Sequence, residues 1–178
     1  YPDMRIALSE GSIGWVPYFT ERADFSNWRH KAWTNSRFQE MKPSEMFRRH
    51  FLNCFIDDAF GLQNIQFIGE DNIAYECDYP HSDTLWPEVP EHLWPSIRHL
   101  TEAQIDKITH RNAMRWFRFD PFQHQSRAEL TVGALRQRAK AAGVDTSARS
   151  SAGERPVAEG DTRPVTSLSL IPISEPTR

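Results

Sequence analysis

The chain has 178 residues, enough for one domain with a sizeable core, and its formal net charge is −3 at pH 7. This charge gives no support for binding to nucleic acid or an anionic membrane, and no apolar run approaches the roughly 20 residues that span a bilayer. Cys54 and Cys77 lie in apolar, strand-like runs, which favours buried thiols over a disulfide and therefore a cytoplasmic location.

Predicted strands and helices alternate through the first part of the chain. Continuous apolar runs predict the strands, and helical spacing of apolar residues predicts the helices. In chain order we predict a strand over 4–9, a helix from Trp15, a helix from Pro43, a strand over 51–56, a short helix or loop over 59–69 with Phe60, Ile65 and Ile68 buried, a strand over 73–77, a Pro- and Trp-rich loop over 82–96 and a helix that begins at the Thr101–Gln104 capping box.

This alternation predicts an α/β fold with a parallel sheet, and the continuous apolar strands indicate that both sheet faces are covered. An acid follows each predicted strand, namely Glu10, Asp57 and Asp78. Because α/β folds place their sites at the carboxyl ends of the strands, these acids mark the candidate site. Three strands cannot close a barrel, so we expect the chain to be a fragment of a larger fold.

The distribution of aromatic residues predicts the domain boundaries. Every Trp, Phe and Tyr lies at or before Phe122, so we predict a folded domain over 1–122, a candidate helix within 123–142 and a disordered tail over 143–178. Residues 168–178 resemble the in-frame translation of a transposase-type sequencing adapter, differing at Pro172, although an ordinary disordered tail is the alternative. With Tyr1 in place of an initiator Met, we expect a gene fragment that ends in non-biological sequence.

Asp78 is the strongest candidate for a functional residue. It directly follows the apolar strand over 73–77, where a carboxylate is costly unless it has a partner or a function. It could bind a divalent ion or orient a metal-bound water, and the alternative is an aspartate that caps a turn or helix.

Three further residues are weaker candidates. Glu10 could be a ligand, a general acid/base or a partner for a substrate cation, or it could form a salt bridge at the mouth of the sheet. His81 could contact substrate or shuttle a proton, or it could be a solvated loop residue. Trp86 and Trp94 could form the wall of a pocket or belong to a packed loop, and the sequence leaves both open.

Three polar residues have structural interpretations. The pair Asp57–Asp58 is typical of a turn after a strand, in preference to a ligand pair. Asn112, inside the last predicted helix, is expected to be buried and to bond a neighbouring loop. The histidines show no HxH or HExxH spacing, so the sequence contains no such metal motif.

Four groups of residues, in this order, resemble the C-terminal part of the amidohydrolase-related family, the superfamily branch that contains aminocarboxymuconate-semialdehyde decarboxylase. The resemblance covers residues 1–122. The groups are Ser9-Glu10-Gly11 with Gly14-Trp15-Val16-Pro17; Phe55-Ile56-Asp57-Asp58; Asp71-Asn72-Ile73 with Cys77-Asp78-Tyr79-Pro80-His81; and Ile108-Thr109 with Asn112-Ala113.

This resemblance implies a TIM-like (β/α)8 barrel, of which the chain would hold about strands six to eight. It also implies one divalent metal, often zinc, near an Asp on strand eight, which Asp78 matches. Glu10 stands where many members have the His of a His-Gly-Gly sequence after strand six, which leaves the usual metal shell and the metal dependence open.

The function that the resemblance implies is that of a metal-dependent hydrolase or decarboxylase (a carboxy-lyase) acting on a small, carboxylated substrate. Asp78 and Glu10 would be catalytic, Asp78 would also serve the metal, and His81 and Trp86 would bind substrate. The alternative is a non-catalytic barrel protein that has lost the metal and binds a small molecule. We expect the parent protein to form a homo-oligomer. We expect the chain alone to be inactive and poorly folded, because its edge strands lack partners and no barrel closes.

Overall fold

The computed structural model describes residues 1–36, 38 and 41–147. Three strands, β1 (Ile6–Leu8), β2 (Phe51–Phe55) and β3 (Ile73–Tyr75), form a parallel sheet in the order β1-β2-β3. The register places Ile6 opposite Phe51 and Asn53 opposite Ile73. The predicted α/β class with a parallel sheet is therefore confirmed, whereas the partial barrel stays a proposal.

Helices connect and cover the strands. They are α1 (Val16–Thr34), α2 (Pro43–His50), α3 (Ala59–Gln63), α4 (Ile65–Ile68), α5 (Val89–Ile97), α6 (Glu102–Asp106), α7 (Asn112–Phe117) and α8 (Val132–Ala141). A π-helical segment, Lys107–Arg111, joins α6 to α7. Two 3-10 turns, Glu70–Asn72 and Pro121–Gln123, precede β3 and follow α7.

The core lies on both faces of the sheet, as continuous apolar strands predict. One face carries Leu52, Cys54 and Ala74, against which Ala113 and Trp116 pack. The larger cluster consists of Ile13, Val16, Phe47, Phe55, Leu62, Ile65, Ile68, Ile73, Leu93, Ile97, Ile105 and Ile108.

Two sequence predictions about this region are wrong. The segment 82–96 is not all loop, because α5 begins at Val89 and buries Leu93 and Ile97 on one side of the helix. Pro90 lies in the first turn, where a missing N–H costs no helical hydrogen bond. Phe60 is not buried, since its side chain in α3 is 66% exposed.

The helical segment that starts after Thr101 begins where the sequence predicts. Thr101 and Gln104 form the capping box that starts α6. Asn112 is 2% exposed, and its amide donates to the carbonyl oxygens of Glu70 (2.7 Å) and Ile73 (2.8 Å). The buried amide therefore ties α7 to the segment that enters β3.

Helix α8 lies within the segment 123–142 for which the sequence predicts a helix. Arg136 on α8 donates to both carboxylate oxygens of Glu91 (2.9 and 3.0 Å) and to the carbonyl of Pro87 (2.8 Å). Residues 148–178, which include most of the predicted disordered tail and the adapter-like end, lie outside the described residues.

Gly61 provides a test of the packing between α3 and the loop after β1. A Cβ at this position would lie 2.9 Å from the backbone nitrogen of Gly14. Gly61→Ala is therefore expected to destabilise the packed loop by about 1–3 kcal/mol. Amide hydrogen exchange at Ile13 and Gly14 should become faster.

Gly133→Ala is the matched control, because no atom lies within 4 Å of a Cβ at that helical position. This change should slow exchange within α8, since Ala stabilises a helix by about 0.5–1 kcal/mol relative to Gly. Equal protection of Ile13 and Gly14 in Gly61→Ala and the unmodified protein would contradict the packing described above.

Candidate functional site

Asp58 fixes the loop between β1 and α1 from the neighbouring strand. Its Oδ2 accepts the backbone N–H groups of Ile13 (2.8 Å) and Gly14 (2.7 Å), and its Oδ1 accepts that of Gly61 (2.8 Å). Burial pushes the pKa of Asp58 upward, but these backbone hydrogen bonds outweigh burial and hold it below its usual range. Asp58 therefore has a structural role after β2, as the sequence predicts, and it binds the loop that follows Glu10.

Glu76 joins the carboxyl ends of β1 and β3, which are not neighbours in the sheet. Its carboxylate accepts the Ser9 hydroxyl (2.7 Å) and the backbone N–H of Glu10. Its own N–H donates to the carbonyl of Phe55 (3.0 Å), which continues the pairing of β3 with β2. Glu76 is not among the residues that the sequence predicts for the site, and the local signal for it is an acid within an apolar, strand-like run.

Glu10, Asp78 and His81 are brought together at this edge of the sheet. The His81 Nδ1 lies 2.9 Å from the Asp78 Oδ1 and 3.5 Å from the Glu10 Oε1. One ligand atom from each residue lies within 4.8 Å of the other two. Glu10 and Asp78 both have a left-handed backbone, with φ of 54° and 55°, which turns the chain sharply after β1 and β3.

The three side chains differ strongly in burial. The Asp78 side chain is 7% exposed, whereas the Glu10 and His81 side chains are 50% and 69% exposed. The hydrogen bond to Asp78, followed by the charges of Asp78 and Glu10, raises the pKa of His81 above its usual value. Without an ion, a protonated imidazole between two carboxylates would offset their mutual repulsion; to act as a metal ligand, His81 has to release that proton.

Asp78 also provides the observation that tests whether a metal fits here. Its Oδ2 is buried and has no hydrogen-bond partner among the residues that the structure describes. An unpaired carboxylate oxygen is costly to bury, and a cation would satisfy it. Two carboxylates and an imidazole are ligands that Zn²⁺ accepts, so Glu10, Asp78 and His81 fit a divalent ion.

A cleft of about 310 Å³ opens beside this cluster. Its lining consists of Glu10, Ser12, Ile56, Asp57, Asp83 and Leu85. Asp57 thus faces the cleft while Asp58 is used in the backbone contacts above.

Trp86 packs against Tyr79 with ring centroids 5.1 Å apart, and its role as a substrate contact stays a prediction.

The two cysteines are free thiols. Cys54 is buried in β2, and burial, followed by the charge of Glu76, raises its pKa to about 11. Because the thiolate is the reactive form, Cys54 is expected to be chemically inert at neutral pH.

The contacts of Asp58 predict a defined response to pH. In the folded state the pKa of Asp58 lies below its usual range. The charged carboxylate therefore stabilises the fold at any pH above the ordinary Asp pKa, and this stabilisation is lost as the pH falls through the lowered pKa. We expect Asp58→Asn to reduce protection of the Ile13 and Gly14 amides at neutral pH and to abolish the acid-dependent part of that protection.

Protection factors of these two amides, measured by hydrogen exchange between neutral and acidic pH, check this prediction. Replacement of the exposed Asp3 by Asn is the control and should leave both values unchanged. An acid-dependent loss of protection that persists in Asp58→Asn would rule out Asp58 as its source.

Within the part of the chain that the structure describes, no helix has the length and apolarity needed to cross a membrane. No curated protein is a match for this sequence. Among solved structures, the chain is similar to 5-carboxyvanillate decarboxylase LigW from Sphingomonas paucimobilis, with 22% identity and a TM-score of 0.45 over 60% of this chain and 31% of that one. The chain therefore spans about a third of that protein's length.

A match to a family model carries the assignment. The model described as amidohydrolase matches residues 1–119, which contain β1 to β3, the helices up to α7 and the Glu10–Asp78–His81 cluster. The chain belongs to the amidohydrolase family.

Proposed function

We propose that the chain is part of a metal-dependent hydrolase or carboxy-lyase that acts on a small molecule. The observation that carries this proposal is the nearly buried carboxylate of Asp78, which lies in one cluster with Glu10 and His81 after the strands of a parallel sheet and keeps one oxygen, Oδ2, unpaired. Family membership over residues 1–119 supports the same class of chemistry.

Asp78 would hold the divalent ion, for which zinc suits the ligand set, and Glu10 and His81 lie close enough to add a ligand or to contact substrate beside the ion. When bound, such an ion supplies Lewis-acid polarisation of the substrate and a lowered pKa for water. Asp78 would orient the reacting water or acid through a side chain that is itself held by His81. Glu10 is half-exposed and faces the cleft, so its carboxylate can accept or return a proton on the substrate side.

The size of the cleft supports a small substrate. A volume of about 310 Å³ suits a small molecule, and a bound divalent ion would attract a carboxylated one. His81 and Trp86 are the proposed substrate contacts.

The open edges of β1 and β3 support a larger barrel in which these strands are about the sixth to the eighth, and two free thiols support a cytoplasmic location.

One observation favours a second candidate, a barrel protein that binds a small molecule without catalysis. Glu10 stands where many family members carry a histidine, and this replacement could mark an altered site. Metal binding separates the two candidates, because the non-catalytic protein is defined by the loss of the metal.

Cobalt(II) is a suitable probe for the metal, because its visible absorption reports the ligands directly. We expect the purified parent protein to bind cobalt and Asp78→Asn in that protein to weaken binding at least about tenfold, or ~1.4 kcal/mol. Asp83→Asn removes a carboxylate from the same cleft without touching the cluster, so it controls for long-range charge. Absence of bound cobalt in the unmodified protein would favour the non-catalytic candidate.

Turnover tests the catalytic assignment separately. Across a panel of small carboxylated aromatic compounds, we expect release of carbon dioxide or hydrolysis by the parent protein and none by the 178-residue chain. Asp78→Asn in the parent protein should lower kcat/KM by about 10²–10⁴-fold, as loss of an acid/base or metal-linked carboxylate does. Near-normal turnover in that variant would remove Asp78 from the proposed machinery.

A further inference from the structure

A second cleft, of about 530 Å³, lies where α7 ends, at the opposite end of β3 from Asp78. Arg115 on its wall donates to the carbonyl of Asp71 (2.6 Å), and Asp71 precedes β3, whereas Asp78 follows it. This cleft shares no lining residue with the cleft beside Glu10. It is therefore a separate feature of the molecule.

The lining of this cleft is strongly cationic. Arg111, Arg115 and Arg118 face it together with a single acid, Asp120. The Oδ1 of Asp120 already accepts the backbone N–H of Phe122 (2.9 Å), which caps the 3-10 turn. Arg111 and Arg115 are paired with acids outside the lining, Asp106 (2.7 Å) and Asp71 (3.9 Å), so the charge of Arg118 is the one in this lining left without a counterpart among the described residues.

Arg118 is the most informative member of this group. Arg111 is paired with Asp106 (2.7 Å), and Arg115 bonds Asp71, but the Arg118 guanidinium has no hydrogen bond or ion pair within the described ranges. Its backbone is left-handed (φ 53°, ψ 42°) at the end of α7, a position at which glycine is favoured. The sequence thus places an unpaired arginine where its backbone conformation is unfavourable.

Capping of the helix end does not explain this arginine. The carbonyl of Met114 accepts the backbone N–H groups of Arg118 and Phe119, and the carbonyl of Trp116 accepts the Arg5 guanidinium (3.2 Å). These carbonyls therefore have partners that do not involve the Arg118 side chain.

An aromatic wall adds a second element to the cleft. Phe119 and His124, both in the lining, stack with ring centroids 6.1 Å apart and an interplanar angle of 23°. Phe119 is 56% exposed, so part of its side chain is accessible to a ligand. Guanidinium groups bind phosphate and carboxylate through paired hydrogen bonds, and a flat apolar wall suits a ring attached to such an anion.

We propose that the cleft of Arg111, Arg115 and Arg118 binds a small oxyanion, a phosphate or carboxylate attached to a flat ring. This site is independent of the metal cluster and of the proposed function. Arg118 supplies the unpaired guanidinium, Arg111 and Arg115 offer the N–H groups that their contacts with Asp106 and Asp71 leave over, and Phe119 with His124 contacts the ring.

Titration with inorganic phosphate, phenyl phosphate and benzoate at constant ionic strength tests the proposal, with calorimetry and amide shifts as readouts. We expect saturable binding, and we expect phenyl phosphate or benzoate to bind more tightly than inorganic phosphate. If phenyl phosphate binds more tightly than benzoate, the anion is a phosphate; if benzoate binds more tightly, it is a carboxylate. Arg118→Gly should raise the Kd at least about tenfold without loss of folding, because glycine suits the left-handed backbone. Arg118→Lys keeps the charge but loses the guanidinium fork, and should give an intermediate Kd.

Arg49→Ala is the control, since Arg49 is an exposed arginine of α2 outside the cleft. Its Kd should equal that of the unmodified protein. Equal loss of binding in Arg49→Ala and Arg118→Gly would show that binding depends only on the net charge of the protein and would contradict the proposed site. Absence of saturable binding at millimolar anion would overturn it as well.

Discussion

The arrangement of the site depends on the carboxylate of Asp58. One side chain, placed after β2, accepts backbone N–H groups from the β1–α1 loop and from α3. Charged acceptors make stronger hydrogen bonds than neutral ones, and three converging donors orient this carboxylate fully. The loop that follows Glu10 therefore has a fixed path relative to the middle strand.

Glu76 completes this arrangement from the other outer strand. It holds the backbone of Glu10 through the N–H of that residue and the Ser9 hydroxyl, so the position of Glu10 is set by β3 as well as β2. The residues that could bind a metal are thus positioned by acids that do not themselves join the cluster. A substitution at Asp58 or Glu76 is expected to move Glu10 relative to Asp78.

Much of this fold could be predicted because its signals are local. Continuous apolar runs gave the parallel strands, the Thr101–Gln104 pair gave the start of α6, and a polar Asn112 within an apolar helix indicated a buried contact. Helix α5 was missed because its prolines and tryptophans were read as a loop, although Leu93 and Ile97 are spaced by one helical turn. Burial of those two side chains outweighs the composition of the segment.

The candidate site could be predicted only in part, for a different reason. Glu10, Asp78 and His81 were identified because each follows a strand or its turn. The role of Glu76 depends on β1 and β3 lying on either side of β2, which is a property of strand order that no local pattern contains. Two of the three partners of Asp58, Gly14 and Ile13, likewise lie 44 and 45 residues away in the chain.

The contact of Arg136 with Glu91 and Pro87 has a consequence for where the folded unit ends. Aromatic residues stop at Phe122, yet α8 is attached by three hydrogen bonds to α5 and to the residue after Trp86. A protein shortened at Phe122 would leave the carboxylate of Glu91 without its guanidinium partner and would uncover the start of α5. The contacts that join the helices to one another therefore reach α8, which ends at Ala141, beyond the boundary that residue composition marks.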